Sequence, residues 1–87
     1  MDEYRVFLKK SAAREIELLP KKDIGRILER IDALRHNPRP QGSEKLAGVE
    51  LYRVRQGSYR IVYSIEDRIL TVWIVKVGHR REVYRRQ

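Results

Sequence analysis

The hydrophobic period of this chain changes from helical to strand-like near residue 49, and that change limits the possible folds more than any other feature. Between residues 12 and 35, apolar side chains recur every three or four residues, as on one face of an α-helix. After residue 49, they alternate with polar side chains, as in a β-strand. This order predicts an α+β domain whose helices cover one face of an antiparallel sheet. A chain of 87 residues predicts a single domain over residues 1–87 with one modest core.

The first 35 residues predict one short strand followed by a helical hairpin. Residues 4–8 alternate in polarity, which is typical of a strand. Ser11 is the expected N-cap of a helix over residues 12–19, and Pro20 separates it from a second helix over residues 21–35. The second helix has an apolar stripe formed by Ile24, Ile27, Leu28, Ile31 and Leu34.

Residues 37–48 contain two prolines and two glycines and predict a loop, after which three antiparallel strands follow. The strands are expected at residues 50–56, 59–65 and 69–77. Gly57-Ser58 fits a type II′ turn, because glycine accepts the positive φ that the first central position requires. The second turn, near Glu66-Asp67, contains no glycine.

The first hairpin predicts a cluster of arginines. With a turn at Gly57-Ser58, Arg55 lies opposite Arg60, and alternation sorts the side chains into two faces. The face expected to meet the helices carries Tyr52, Val54, Ile61 and Tyr63, and the other carries Arg53, Arg55 and Arg60. Like charges opposite each other on a sheet cost about 0.2–1 kcal/mol, which a bound anion relieves. We interpret the cluster as a phosphate-binding site; the alternative is three arginines that extend into water.

The basic tail after the third strand supplies further candidates. If it folds back over the open face, Arg80 and Tyr84 lie beside the arginines, and the tyrosine offers a stacking surface for a base. The alternative is a surface charge and an apolar plug. His79 is a candidate acid or base, or a hydrogen-bonded loop residue. Trp73 shares the face of Arg60 if the second turn has an even number of residues. The interpretations open for it are a core residue, a partner contact or a platform for a base.

Charge and composition narrow the class of partner. There are 20 Lys and Arg against 12 Asp and Glu, a net charge of +8, and eight of the nine basic residues after residue 48 are arginine. Arginine matches phosphate oxygens and stacks on bases, so nucleic acid is the expected partner.

The longest nearly apolar run, residues 69–75, is far too short to cross a membrane, and no secretory signal is visible. Cysteine is absent and no metal-ligand or cofactor motif occurs, so we expect a cytoplasmic protein with no metal or cofactor.

Three segments, in this order after a helical hairpin, resemble the RelE/ParE toxin superfamily, and within it the RelE branch. They are Leu51-Tyr52-Arg53-Val54-Arg55, Gly57-Ser58-Tyr59-Arg60-Ile61-Val62-Tyr63 and Val77-Gly78-His79-Arg80-Arg81-Glu82-Val83-Tyr84. The resemblance implies a toxin of a toxin–antitoxin system that cleaves mRNA in the ribosomal A site. It also implies a RelB-like, acidic and amphipathic antitoxin as partner, and a toxin–antitoxin complex that binds operator DNA.

The resemblance also implies roles for five residues. Arg53 and Arg55 fall where the family has a basic pair, and Arg60 matches its transition-state arginine. Arg80 matches the leaving-group residue, and Tyr84 matches the aromatic residue that orients the mRNA. The family chemistry is attack of an RNA 2′-OH on the adjacent phosphate, which suits metal-free stabilisation by preorganised positive charge.

The chain departs from the best-studied pattern at Arg55, where that pattern has a lysine proposed as general base. Deprotonating arginine at pH 7 costs roughly 7–9 kcal/mol, against roughly 5 kcal/mol for lysine. Arg55 is therefore interpreted as an electrostatic stabiliser, and His79, Glu82 or a ribosomal group remain candidates for the base. Arg80 is a poor proton donor and is expected to neutralise the leaving oxygen.

Two other functions stay open on the sequence. A ParE-like inhibitor of DNA gyrase has the same fold but does not require the set Arg53, Arg55, Arg60, Arg80 and Tyr84. A nucleic-acid-binding co-repressor that acts only with its antitoxin would share the basic charge.

Overall fold

Residues 3–79 are described by a computed structural model, and they form two helices on one face of a five-stranded sheet. The strands are β1 (Arg5–Leu8), β2 (Glu44–Lys45), β3 (Tyr52–Gln56), β4 (Tyr59–Glu66) and β5 (Thr71–His79); the helices are α1 (Lys10–Glu17) and α2 (Lys21–Ala33). The strand order is β1-β5-β4-β3-β2. The α+β prediction is confirmed, with one difference. β1 pairs with β5 in parallel, so the sheet is mixed, and only β2 to β5 are antiparallel.

The first helix begins earlier than predicted, and Ser11 is not its N-cap. Lys9 occupies the cap position, and no side chain caps the helix. The Lys9 amide donates to the Ile74 carbonyl at 3.0 Å, and the Lys9 carbonyl accepts from the Ala13 amide at 2.9 Å. Lys9 therefore makes the last hydrogen bond between this segment and β5 and also accepts the first hydrogen bond of α1. The end of the pairing with β5 thus determines where the helix begins. Pro20 separates the two helices, as predicted, and occupies the N-cap position of α2, where no side chain caps the helix.

The predicted loop over residues 37–48 contains the edge strand β2, which the sequence reasoning missed. Glu44 pairs with Arg53, and Lys45 pairs with Tyr52. A side-chain network anchors the same loop: Arg39 donates twice to the carboxylate of Asp67, at 3.2 and 2.9 Å. That guanidinium, helped by a hydrogen bond from the Tyr4 hydroxyl, holds the pKa of Asp67 at about 2. The network connects the loop to the turn between β4 and β5.

The first hairpin has the predicted register. Arg55 lies opposite Arg60, and Tyr52 lies opposite Tyr63. Gly57 has a φ of 62°, whereas the φ of Ser58 is not positive, which fits a type II′ turn. A two-residue turn of this kind fixes which residues share a face.

The second turn comprises four residues, 67–70, between Glu66 and its partner Thr71. A 3₁₀ turn over Asp67–Ile69 and a left-handed Leu70, with a φ of 48°, replace the missing glycine. Farther along, Tyr63 pairs with Ile74 while Val62 pairs with Lys76, so Val75 is an extra residue in β5. This β-bulge reverses the alternation of β5, and as a result Ile74 and Val77 both point into the core.

The core lies between the helices and the face of the sheet that was predicted to meet them. Its fully buried side chains are Ala12, Ile27, Leu34, Val54, Ile61, Tyr63, Val72 and Ile74. Burial raises the pKa of Tyr63 to about 12, and its hydroxyl donates to the Pro38 carbonyl at 2.8 Å. No helix within residues 3–79 is long and apolar enough to cross a membrane.

Candidate active site

Arg53, Arg55 and Arg60 lie on the sheet face away from the helices, which we call the arginine face. Val54 and Ile61, their neighbours in sequence, are fully buried in the core. Arg55 and Arg60 are direct cross-strand partners, so their Cβ atoms lie about 4.5–5.5 Å apart. Arg53 is two residues before Arg55 on β3 and points the same way. The structure thus brings the three predicted arginines together.

Burial divides these arginines into two kinds. Arg53 and Arg60 are each only 5% exposed, whereas Arg55 is exposed. The alternative of three arginines extending into water is therefore wrong for two of them. Burying a guanidinium costs free energy unless polar groups surround it, so these positions are held in place rather than free to rotate in solvent. Fixed positive charge is what stabilisation of a developing anion requires.

Glu44 is a site residue that sequence reasoning missed. Its carboxylate forms a hydrogen-bonded ion pair with the guanidinium of Arg53. The Arg53 side chain is 6% exposed and that of Glu44 is 67% exposed, so the carboxylate faces solvent while it holds a buried cation. The available sequence signal was that Glu44 is the only acidic residue between Asn37 and Gly48. A loop prediction gave no reason to place it beside β3.

Gly78 lies directly opposite Arg60 on β5. A glycine at this position has no side chain to occupy the space beside the guanidinium. The opposite neighbour of Arg60, on β3, is Arg55. Arg60 therefore has the cationic Arg55 beside it on one neighbouring strand and Gly78, which has no side chain, on the other.

The structure separates His79 from the arginine face. His79 pairs with Tyr59, whose hydroxyl donates to Asp23 of α2 at 2.9 Å, and the two rings meet edge to face at 6.0 Å between centroids. Tyr59 lies on the helix side of the sheet, and so does its partner. Simple alternation from Ile74 would have placed His79 on the arginine side, but the extra residue Val75 reverses the phase. The expectation that His79 serves as base for the arginines is not supported by this placement.

Of the other predicted residues, three lie outside the part of the chain that the structure describes, and Trp73 lies within it. Arg80, Glu82 and Tyr84 lie outside the described residues. Trp73 pairs with Ser64, four residues after Arg60 on β4, so it lies on the arginine face, as an even-numbered turn predicted. Within residues 3–79, no group of three His, Asp or Glu side chains is placed to hold a metal ion.

Comparison with known proteins gives the family. The model for the ParE toxin of the type II toxin–antitoxin system parDE matches residues 6–84. The chain belongs to the RelE/ParE superfamily of toxins. It is 33% identical over 87 residues to toxin RelG of Mycobacterium tuberculosis, an alignment that covers 95% of this chain and 98% of RelG.

Solved structures agree with this assignment. A chain of the RelBE2 toxin–antitoxin complex from Mycobacterium tuberculosis superposes with a TM-score of 0.83 at 28% identity, over 91% of this chain and 93% of that one. A chain of the archaeal RelE–RelB complex from Pyrococcus horikoshii gives 0.80 at 34% identity, over 90% and 96%. The protein is a toxin of a type II toxin–antitoxin system with a RelE-like fold.

Proposed function

We propose that this RelE/ParE toxin is a ribosome-dependent endoribonuclease that cleaves mRNA in the A site and so inhibits translation. The observation that supports the proposal is the pair of buried arginines, Arg53 and Arg60, beside the exposed Arg55. An inhibitor that acts only by binding has no need of cations fixed in position, because exposed ones attract a polyanion as well. A group that must stabilise charge appearing during a reaction does need them.

The proposed reaction needs no metal from the toxin. Glu82 or a ribosomal group accepts the proton of an RNA 2′-hydroxyl as the 2′-oxygen bonds to the adjacent phosphorus. The bond from phosphorus to the 5′-oxygen then breaks, and the 5′-oxygen takes a proton from water. The products are a 2′,3′-cyclic phosphate and a 5′-hydroxyl end. Arg60 stabilises the phosphorane, and Arg53 and Arg55 add positive charge around it. Arg80 neutralises the leaving oxygen, and Tyr84 orients the mRNA.

Glu44 is proposed as the positioning residue for Arg53. In residues 3–79 it is the carboxylate in contact with an arginine of this face. Replacing it by Ala is expected to slow cleavage about tenfold, because a catalytic group that loses its fixed orientation loses rate even when it is retained. Glu44→Gln keeps an acceptor oxygen for Arg53 and is expected to lie closer to wild type. The measurement is the single-turnover cleavage rate on saturating ribosomes.

The matched control is Glu50→Ala, which breaks the neighbouring surface pair between Lys45 and Glu50. That change is expected to leave the rate within twofold, because exposed ion pairs contribute little. Equal rates for Glu44→Ala and wild type would contradict the positioning role. A Gln variant as slow as the Ala variant would contradict positioning through an acceptor oxygen alone, because it would show that the negative charge of Glu44 is required.

The proposal includes partners and a compartment. We expect a RelB-like antitoxin, because the similar solved chains come from RelB–RelE complexes. An acidic, amphipathic antitoxin suits a chain with a net charge of +8. It is expected to cover the arginine face or to displace the C-terminal segment, and in either way to abolish cleavage. Binding of the toxin–antitoxin complex to operator DNA belongs to the same proposal. Action on translating ribosomes implies a cytoplasmic protein.

The test compares the same mRNA free in solution and bound to ribosomes that have an empty A site. We expect cleavage only of the ribosome-bound mRNA. Equal cleavage of both would contradict ribosome dependence. Because the matching family model is that of a ParE toxin, a DNA gyrase supercoiling assay is run in parallel. Inhibition of supercoiling without any cleavage of mRNA would favour the gyrase function instead.

A further inference from the structure

An aromatic pair lies at the far end of the sheet from the first hairpin. Phe7 of β1 and Trp73 of β5 are direct partners in the parallel ladder, and their ring centroids are 5.0 Å apart with planes inclined by 30°. Phe7 is 41% exposed and Trp73 is partly exposed. We call these two side chains the edge aromatic pair. They do not belong to the core, which lies on the opposite face of the sheet.

The edge aromatic pair shares its face with the arginines. Trp73 lies opposite Ser64, and Ser64 is four residues from Arg60 along β4. At about 3.3 Å per residue, the tryptophan is therefore roughly 13 Å from Arg60 along the sheet. A few nucleotides of single-stranded RNA span that length, so one strand can reach both places.

The surroundings of Trp73 carry positive charge. The indole borders a concavity of about 510 Å³, which is also lined by Lys9, Lys10, Ser64 and Glu66. Neither lysine forms an ion pair within the part of the chain that the structure describes. Exposed aromatic rings beside cations that track a backbone are the combination by which proteins hold single-stranded nucleic acid.

We propose that the edge aromatic pair is a stacking platform for an unpaired RNA base, a few nucleotides from the phosphate that the arginine face holds. The proposal rests on the proposed function and extends it by naming a second contact with the substrate. The charge of the face decides between occupants. Its three arginines and two lysines outnumber the carboxylates of Glu44 and Glu66, so the face remains positive and complements the phosphates of an RNA strand. A flat ring on the same face complements its bases.

Trp73 is the only tryptophan of the chain, so its fluorescence reports on this position alone. The probes are an eight-nucleotide 2′-O-methyl oligouridylate, which has no 2′-OH to react, and an oligomer of the same length whose central residues are abasic. Binding is followed in parallel by the anisotropy of a dye on the oligonucleotide. We expect the base-bearing oligomer to quench Trp73 at low salt and to bind at least about fivefold more tightly than the abasic one.

Variants separate stacking from charge. Phe7→Ala and Trp73→Leu are expected to remove that preference for the base-bearing oligomer, whereas Trp73→Phe keeps an aromatic face and is expected to retain most of it. The control is Leu18→Ala, which shortens an apolar side chain that is 78% exposed at the end of α1. It should leave both affinities unchanged. Thermal unfolding of each variant verifies that it is folded.

The result that overturns the proposal is equal affinity for the two oligomers with no change in Trp73 fluorescence. Failure of both oligomers to bind at low salt also overturns it. Loss of antitoxin binding in Trp73→Leu, with RNA binding unchanged, would assign the pair to a protein contact instead. Because the titration uses neither ribosomes nor cleavage, its outcome is independent of whether the protein cuts mRNA.

Discussion

Arg60→Ala lowers the single-turnover rate of mRNA cleavage by about 10²–10³-fold if the arginine acts on charge that develops only in the transition state. Ribosome binding changes far less, because the other basic residues still provide long-range attraction. Two effects on stability oppose each other. Repulsion with Arg55 disappears, but the packing of a buried side chain is lost as well. We therefore expect a folded protein whose thermal unfolding midpoint is close to that of wild type.

The matched control for this change is Arg68→Ala. It removes the same charge from an exposed position in the turn between β4 and β5. Its cleavage rate is expected to stay within about twofold of wild type, since one exposed charge contributes little. Cleavage by Arg60→Ala at the wild-type rate would contradict the assignment. If Arg60→Ala does not fold, Arg60→Lys provides the folded comparison, because it keeps the charge without the planar fork, and cleavage by it at the wild-type rate would contradict a role for that fork.

Ile61→Ala changes the next residue of β4 and is expected to lower the stability of the fold rather than the rate of cleavage. Ile61 is fully buried and points into the core, whereas Arg60 points to the other face. Removing its side chain leaves a cavity and is expected to lower the free energy of unfolding by about 2–5 kcal/mol. In a domain of this size, each kcal/mol shifts the unfolding midpoint by about 4–8 °C. Thermal unfolding followed by circular dichroism measures the shift.

At a temperature where Ile61→Ala remains folded, its cleavage rate is expected to approach that of wild type. The adjacent pair thus separates the two roles of β4, with a side chain for chemistry on one face and a side chain for stability on the other. A midpoint within 3 °C of wild type for Ile61→Ala would contradict the description of the core.

The register of the first hairpin could be predicted because a two-residue turn with glycine first leaves one pairing. That pairing placed Arg53, Arg55 and Arg60 on one face without any information from the rest of the chain. The burial of Arg53 and Arg60 could not be predicted in this way. Nor could the ion pair between Arg53 and Glu44, because Glu44 lies in a two-residue strand that is too short to produce a periodic pattern.

Two other differences arise from contacts between distant segments. The start of α1 depends on a hydrogen bond between Lys9 and Ile74, which local sequence does not encode, and Ser11 was therefore misassigned as the cap. The side of the sheet on which His79 lies depends on the extra residue Val75. Periodicity assumes an unbroken alternation, so it cannot detect a bulge inside a run of β-branched residues.

The chemical groups at the two cut ends show whether the mRNA is cleaved by attack of its own 2′-OH. Wild-type toxin is added to ribosomes programmed with mRNA, and both new ends are mapped at the A site and characterised. We expect a 2′,3′-cyclic phosphate on the upstream fragment and a 5′-hydroxyl on the downstream fragment, and we expect both to form about 10²–10³-fold more slowly with Arg60→Ala. A 5′-phosphate on the downstream fragment, or intact mRNA beside inhibited gyrase, would contradict this mechanism.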